Sequence, residues 1–505
     1  MFERDGQLKL TVLFLCANSL PNIDFNKVRC IIELYVKMYK ILMLIMSIKK
    51  ESKLMKMYTE PHKLNDYLNQ KFECDCGHTH EAPLKKVLVS KDAIYELPAI
   101  LKELGFAKPF LISDSITYKI AGEKCMDILK NAGINAEIIQ LTHMGFDEAT
   151  LGELVINMPA DTDIVVAVGT GTINDMTRYF SFKMGRPFMT VATAAPMDGF
   201  ASSIAAIMVN NLKTTFDAQT PVAIIGDTEI LKGAPYSMIA AGLGDLVGKT
   251  TCLCDWRISH IITGEHSCEN IIHLVEDNVN RVLESANLAK DRDPEVLGNI
   301  MEGLVLAGTA MSLNGNSRPA SGCEHHMSHY WEMIFEQKGE RPAPHGTQVS
   351  VGTVLVLKAV EELLKNPIDF EAARRAAATY DQAAWEEKMH EAYGPAAPGV
   401  IALEEKAKKN EIKGRLARID ALEKNWNAIE ALLKGLPSSE SIMEILQSLS
   451  SPCLPHEIRV DKELTKKTFM CCKEVRNRYT ILQMLWDLEL LDSISDKVIA
   501  SLPEA

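Results

Sequence analysis

The 505-residue chain has no excess of positive charge: 54 Lys and Arg stand against 67 Asp and Glu, for a net charge of −13 at pH 7. A field of that sign repels phosphate backbones and anionic lipid, which argues against a nucleic-acid or membrane-surface binder. Long hydrophobic runs are also missing from the amino-terminal region: Leu10–Ala17 and Ile41–Ile48 are apolar but fall well short of the roughly 20 residues of a bilayer span. Cysteine is sparse, 12 residues scattered mostly beside apolar neighbours, which excludes a disulfide scaffold and fits a reducing, cytoplasmic setting. Gly and Pro are ordinary at 29 and 21, so collagen-like and low-complexity classes fall away. What remains is a globular composition, 47% hydrophobic and 24% charged, in a chain long enough for about two to four domains.

Residues 1–56 differ from the rest. Glu3, Arg4 and Asp5 give a mixed-charge start, no small-x-small site follows the first apolar run, and a charged cluster precedes Met55 and Met57. We read this segment as an atypical extension, either a leader ahead of a start near Met55 or Met57 or a membrane- or partner-binding segment, and set it apart from the fold. From Lys85 the pattern alternates: apolar runs at 85–90, 109–114, 136–141, 163–169 and 187–193 are separated by amphipathic stretches, with Asp92 a candidate cap for the first. Strand-length runs alternating with helix-length stretches indicate βαβ units and a parallel sheet. Past Gly233 only helical patterns follow. The expected architecture is an α/β dinucleotide-binding, Rossmann-like domain over 57–230 and an all-helical, metal- and substrate-binding domain over 231–505.

Three loops carry candidate chemistry. In VVAVGTGTINDMTR (165–178) a buried strand runs into Gly169 and Gly171 and then a helix, so bare N–H groups and the helix dipole favour a pyrophosphate. The same residues also suit a plain strand-to-helix turn. Asp114 ends an earlier strand, where a carboxylate either accepts from a ribose hydroxyl or caps a helix. The loop TVATAAPMDGFASS (190–203) is rich in small and hydroxylated residues around one carboxylate, Asp198, which favours a polar ligand over a simple turn.

A metal constellation is spread over three segments. Asp245 follows two glycines at an expected helix start; His325 and His329 are one helical turn apart and share a face; His345 lies further on. One carboxylate and two imidazoles leave a coordination position open, as Lewis-acid catalysis requires and a closed structural site does not. His326 is expected to face away. Cys74, Cys76, His78 and His80 form a possible zinc half-site without a second ligand pair near in sequence, so an ordinary turn with reduced thiols is the expected reading there.

Five stretches in one order, GTGTINDMTRY, TAAPMDGFASS, MIAAGLGDLVGK, SRPASGCEHHMSHYWE and PHGTQVSVGT, resemble the sn-glycerol-1-phosphate dehydrogenases, especially the bacterial type, within the dehydroquinate synthase and iron-type alcohol dehydrogenase superfamily. The resemblance covers about 57–430. It implies a dehydroquinate synthase-like fold and reversible, NAD(P)H-dependent reduction of dihydroxyacetone phosphate to sn-glycerol 1-phosphate by a cytoplasmic homo-oligomer. It further implies that Gly171, Thr172, Ile173, Asn174 and Asp175 cradle the cofactor phosphates. Thr193, Ala194, Ala195, Pro196 and Ser202 would line its nicotinamide side, with Asp114 on the adenosine half. Asp245, His325 and His345 would hold one divalent ion, zinc or nickel. Asp198 and His329 would meet substrate together with Asp245, and His329 would pass a proton. The sequence departs from the family pattern at Pro196, where many members carry Ser, and at Thr347, where a Glu is common. Lys249 stands where iron-type alcohol dehydrogenases place a further His, and is a candidate phosphate or substrate partner. Rival readings are a glycerol or other polyol dehydrogenase and a catalytically inactive metal-binding relative.

Overall fold

The apolar runs become strands of one parallel sheet. The computed structural model describes residues 64–142, 147–209 and 212–503, with side chains outside 206–215. The extension 1–56, and the leader expected there, lies outside the described residues. Strands β3 (Lys86–Ser90), β4 (Pro109–Asp114), β5 (Glu137–Leu141), β6 (Ile164–Gly169), β7 (Phe188–Ala192) and β10 (Ala223–Asp227) lie in the order β3-β10-β7-β6-β4-β5. Every neighbouring pair is parallel. The central strands are buried along their whole length, which is why they read as continuous apolar runs.

Alternate side chains feed opposite faces. Leu111, Val166, Val168 and Met189 join one core with helices α1 (Leu97–Leu104) and α2 (Glu123–Asn131). Phe110, Ile112, Val165 and Phe188 join another with α3 (Glu148–Asn157) and α4 (Gly171–Lys183). The chain leaves β4 for the edge strand β5, then returns past β4 to β6 and continues toward β7. The carboxyl ends of β4 and β6 therefore flank a topological switch point, the place where such sheets bind ligands.

Three elements differ from the sequence reading. β10 is a sixth strand, inserted between β3 and β7, where the short run Val222–Ile225 gives little signal. Two antiparallel hairpins, β1 (Gln70–Glu73) with β2 (Thr79–Ala82) and β8 (Ile204–Val209) with β9 (Leu212–Asp217), were not expected: β1, β2 and β9 are short and largely polar, whereas β8 is a wholly apolar six-residue run just past the 190–203 loop. Asp92 sits at φ 60 and makes no side-chain cap; Asp227 Oδ2 accepts the Ile94 N–H instead.

After β10 only helices follow among the described residues. The longer ones are α5 (Tyr236–Thr263), α6 (Glu269–Ser285), α7 (Pro294–Asn314), α8 (Cys323–Gln337) and α9 (His345–Leu363), followed by the carboxy-terminal helices. Among the described residues α7 alone is long and apolar enough to cross a membrane, yet 72% of its apolar window is buried inside the protein, as befits a core helix.

Candidate active site

At the switch point, β6 ends on Gly169 and α4 begins at Gly171, whose φ of +43 lies in the region glycine tolerates best. Thr170 is extended ahead of the helix and makes no cap; its Oγ1 is buried without a partner. The Ile173 N–H donates to the Thr170 carbonyl at 3.1 Å, and the start of α4 carries the positive end of the helix dipole, so the turn fits a dinucleotide phosphate. Thr172 is exposed, whereas Ile173 and Asn174 turn their side chains into the core, Asn174 Oδ1 accepting from Thr190 Oγ1 at 2.7 Å. The Asp175 carboxylate pairs with the buried Arg178, whose guanidinium also donates to the carbonyls of Phe200 and Ile204. Arg178 thus ties the glycine turn to the 193–203 loop. Asp114 caps its own chain: Oδ1 accepts from the N–H groups of Ile116 and Thr117, each at 2.7 Å. The capping alternative for that residue is realised.

The second loop bridges sheet and helices. The Thr193 N–H donates to the Gly169 carbonyl at 3.2 Å. Ala194 and Ala195 are buried, and Pro196 and Ser202 are half-buried, Ser202 Oγ accepting from the Ile204 N–H. Asp245 is not at a helix start: α5 begins at Tyr236, and the residue lies in its interior. Its neighbouring glycine serves close packing instead, since a Cβ on Gly242 would stand 1.9 Å from the Ala195 carbonyl oxygen. Gly346 is matched in the same way to the Ala241 carbonyl, bringing the first turn of α9 against α5. Pro344 ends the preceding loop in extended backbone and makes His345 the first residue of α9.

Asp245, His325 and His345 meet, their ligand atoms all within 4.8 Å of one another. His325 Nε2 is 3.5 Å from Asp245 Oδ1. Each imidazole is oriented from behind by a carboxylate. His325 Nδ1 donates to Glu324 Oε1 at 2.7 Å, and His345 Nδ1 to Glu332 Oε1 at 3.1 Å. His329 Nδ1 donates to the other oxygen of Glu332 at 3.3 Å. A carboxylate only accepts, so all three rings place a proton on Nδ1 and leave Nε2 as the ligand atom, that of His325 offering its lone pair once the proton it shares with Asp245 has left. This donor set fits a divalent cation. His329 stands beside the trio, its ring centroid 5.6 Å from that of His345, but shares no ligand group with Asp245. His326 is fully buried on another side with neither ring nitrogen bonded.

Lys249 does not wait for phosphate. Its ammonium is buried and donates to Asp198 Oδ2 at 2.6 Å, Asp245 Oδ1 at 2.7 Å and the Ala320 carbonyl at 2.9 Å, which uses all three protons. Asp198 is held twice, since its N–H also donates to Asp245 Oδ2 at 2.9 Å. Burial alone would raise the Asp245 carboxyl, but Lys249 and His325 outweigh it and hold it well below the usual range. Burial and Lys249 push His325 down; the bonds to Asp245 and Glu324 win and lift it to about 9. His329 is lowered to about 4, chiefly by burial, so this imidazole is neutral at pH 7.

Sequence reasoning missed three residues. Glu324 directly precedes His325, and Glu332 sits one helical turn beyond His329, a spacing that was available to be read. Glu332 also answers the Thr347 departure, because support for His345 comes from α8 rather than from its own helix. Arg476, in the loop after Glu474, is largely buried, its Nε without a partner; burial alone lowers its pKa, with no carboxylate offsetting it. Its charge also reaches His329 and His326.

A glycine turn at the switch point of a parallel sheet, joined to helices that bring together a carboxylate and two oriented imidazoles, fits a dinucleotide oxidoreductase of dehydroquinate synthase-like fold. Residues 88–235 match the iron-containing alcohol dehydrogenase family. The crystal structure of glycerol dehydrogenase from Schizosaccharomyces pombe shares the fold at 16% identity, with a TM-score of 0.54, covering 87% of this chain and 93% of that one. A glycerol-1-phosphate dehydrogenase, NAD(P)+, from Halalkalibacterium halodurans is 32% identical over 419 residues, 82% of this chain and 95% of that protein. One of the same name from Pyrococcus horikoshii is 36% identical over 284 residues, 55% of this chain and 79% of the relative. The chain belongs to the glycerol-1-phosphate dehydrogenase family.

Proposed function

We propose that this protein reduces dihydroxyacetone phosphate to sn-glycerol 1-phosphate with NADH or NADPH, and runs the reverse reaction. The observation that carries the reading is the convergence of Asp245, His325 and His345, each imidazole backed by a carboxylate, beside the loop that joins the glycine turn to α5. Residues 57–230 would serve the cofactor and 231–505 the metal and substrate. Gly171, Thr172 and the Thr170 hydroxyl would receive the cofactor phosphates, and 193–196 would flank the nicotinamide. Asp245, His325 and His345 would hold zinc or nickel. When bound, the cation polarises the substrate carbonyl and the reduced nicotinamide supplies hydride.

The chain's own groups do the rest. Glu324 and Glu332 fix the imidazole tautomers so that lone pairs face the centre. Lys249 locks Asp198 and Asp245 in one arrangement, leaving the Asp198 loop a fixed wall. His329, neutral and with Nε2 free, accepts the alcohol proton in the oxidising direction, while Glu332 stabilises the imidazolium that forms. Arg476 is the candidate phosphate partner, a role its unpaired guanidinium supports and the fully engaged Lys249 does not. A cytoplasmic homo-oligomer belongs to the same reading; ten free cysteines among the described residues are in keeping with it.

The test is turnover by the zinc- or nickel-loaded protein with dihydroxyacetone phosphate and each reduced nicotinamide, with chiral analysis of the product. Oxidation of NAD(P)H yielding the 1-phosphate enantiomer supports the reading. Turnover with dihydroxyacetone but not its phosphate would instead mark a polyol dehydrogenase.

A further inference from the structure

The β1–β2 hairpin turns at Cys74–Asp75–Cys76–Gly77. The Gly77 N–H donates to the Cys74 carbonyl at 3.0 Å, and Gly77 takes φ +85, as a tight turn demands. This much is the ordinary turn expected from the sequence. What the sequence conceals is Cys268, 194 residues further on at the head of α6, with its Sγ 3.7 Å from Cys74 Sγ. On the other side of the turn, Cys76 Sγ is 3.2 Å from His80 Nε2. All four ligand atoms lie within 4.8 Å of one another. For tetrahedral zinc, with bonds of about 2.3 Å to sulfur and 2.0–2.1 Å to nitrogen, ligand atoms stand roughly 3.5–3.8 Å apart, close to both distances here.

The surroundings are those of a cation site. His80 Nδ1 lies 2.7 Å from the Leu313 carbonyl, which can only accept, so the proton is on Nδ1 and Nε2 keeps its lone pair toward the sulfurs. The sulfurs in turn accept N–H groups: Cys74 from the Cys76 main chain and from Asn270 Nδ2 at 3.2 Å, Cys76 from His78, and Cys268 from Ile271. Donors aimed at sulfur favour thiolate, and Cys268 also stands at a helix amino terminus, but burial raises Cys76 and Cys268, so thiolate there calls for a cation beside it. His80 and Cys268 are buried and the other two half-buried. Three thiolates and one imidazole close a tetrahedron, leaving no position for substrate. Soft ligands in that geometry select zinc over the harder divalent ions.

We propose that Cys74, Cys76, His80 and Cys268 bind a structural zinc ion that fastens the β1–β2 hairpin to the head of α6. His80 extends the clamp to the end of α7 through Leu313. From the same loop as Cys268, Glu265 holds Arg318 at 2.8 Å, ahead of the segment that carries His325. The ion would therefore stabilise the frame of the helical region without touching the reaction.

The full chain, loaded with zinc alone, should hold two equivalents. His325→Ala should keep one, and Cys268→Ser and Cys74→Ser should each lose one. Loaded with cobalt alone, the wild type and His325→Ala should show an intense near-ultraviolet sulfur-to-cobalt band that Cys268→Ser lacks. Because His325→Ala leaves the hairpin intact, it decides the matter even where a cysteine variant fails to fold, and its sulfur band is independent of whether the active-site reading holds. A metal-free His325→Ala protein, no sulfur band in the wild type, or a folded Cys268→Ser protein with full zinc would overturn the proposal. So would a denatured, chelated wild type with ten reactive thiols instead of the 12 in the sequence, since that would mark a disulfide.

Discussion

Two clusters of side chains with the ligand atoms of a metal site lie in the same frame and differ in build. Asp245, His325 and His345 combine oxygen with nitrogen, leave room for another ligand and sit in a web of buried charge with Lys249, Glu324 and Glu332. Cys74, Cys76, His80 and Cys268 are mostly sulfur and close on themselves, supported by main-chain N–H groups and a carbonyl. An open site needs its ligands oriented, and carboxylates behind the rings do that. A closed site needs its thiolates kept as thiolates, and N–H donors do that. Damage to the first should cost turnover, and damage to the second should cost persistence of the fold.

The comparison breaks most sharply at His325. Its replacement by Ala should lower turnover by at least about a thousandfold, while the sulfur cluster keeps its metal. Steady-state rates set beside metal analysis check this, and near-normal turnover would remove the open site from the chemistry. Next comes Glu332→Gln, which leaves the rings but loosens two of them. A loss of about 10–100-fold in metal affinity or rate is expected, read as metal-dependent activity. Arg476→Met should raise the KM for dihydroxyacetone phosphate by roughly 10–100-fold, the worth of a charged hydrogen bond, and leave any turnover of unphosphorylated dihydroxyacetone unchanged.

Proton release separates the clusters by slope. In the metal-free protein His325 is protonated below about 9, because Asp245 and Glu324 favour the imidazolium. Zinc must displace that proton, so affinity at the open site should rise about tenfold per pH unit from 7 to 9 and level off above. Glu324→Gln should move the break downward. Titration with zinc across that range in Cys268→Ser, which removes the closed site, reads the slope directly. The smallest effect belongs to Thr170→Val, which removes the orphan hydroxyl and should raise the KM for NAD(P)H about two- to tenfold.

How much of this could be read in advance follows from sequence distance. The sheet was legible because its central strands are buried on both faces, and β4 and β6 fall on the apolar runs that announce them. The polar strands β1, β2 and β9 and the short β10 were not, lacking periodicity or length, and the apolar run of β8 was passed over beside the 190–203 loop. The meeting of Asp245, His325 and His345 was legible from ligand types and spacing, with the motif resemblance beside them. The setting of Asp245 was misjudged, because Gly242 looks like a helix breaker until the Ala195 carbonyl is seen against it. Glu332 follows His329 by three residues and was within reach. Cys268 was not, since nothing near Cys74 or Cys76 in the chain points to it and only folding brings them together.

The single carboxylate of Glu332 faces two rings, one oxygen to each. When the ring of His345 yields electron density to a cation, its N–H grows more acidic and draws harder on that shared anion, leaving less of it for the neighbour. His329 then becomes a weaker base. On the proposed reading, occupancy and proton affinity would be wired through one side chain, and loading the centre would retune the ring assigned to take up or surrender the proton.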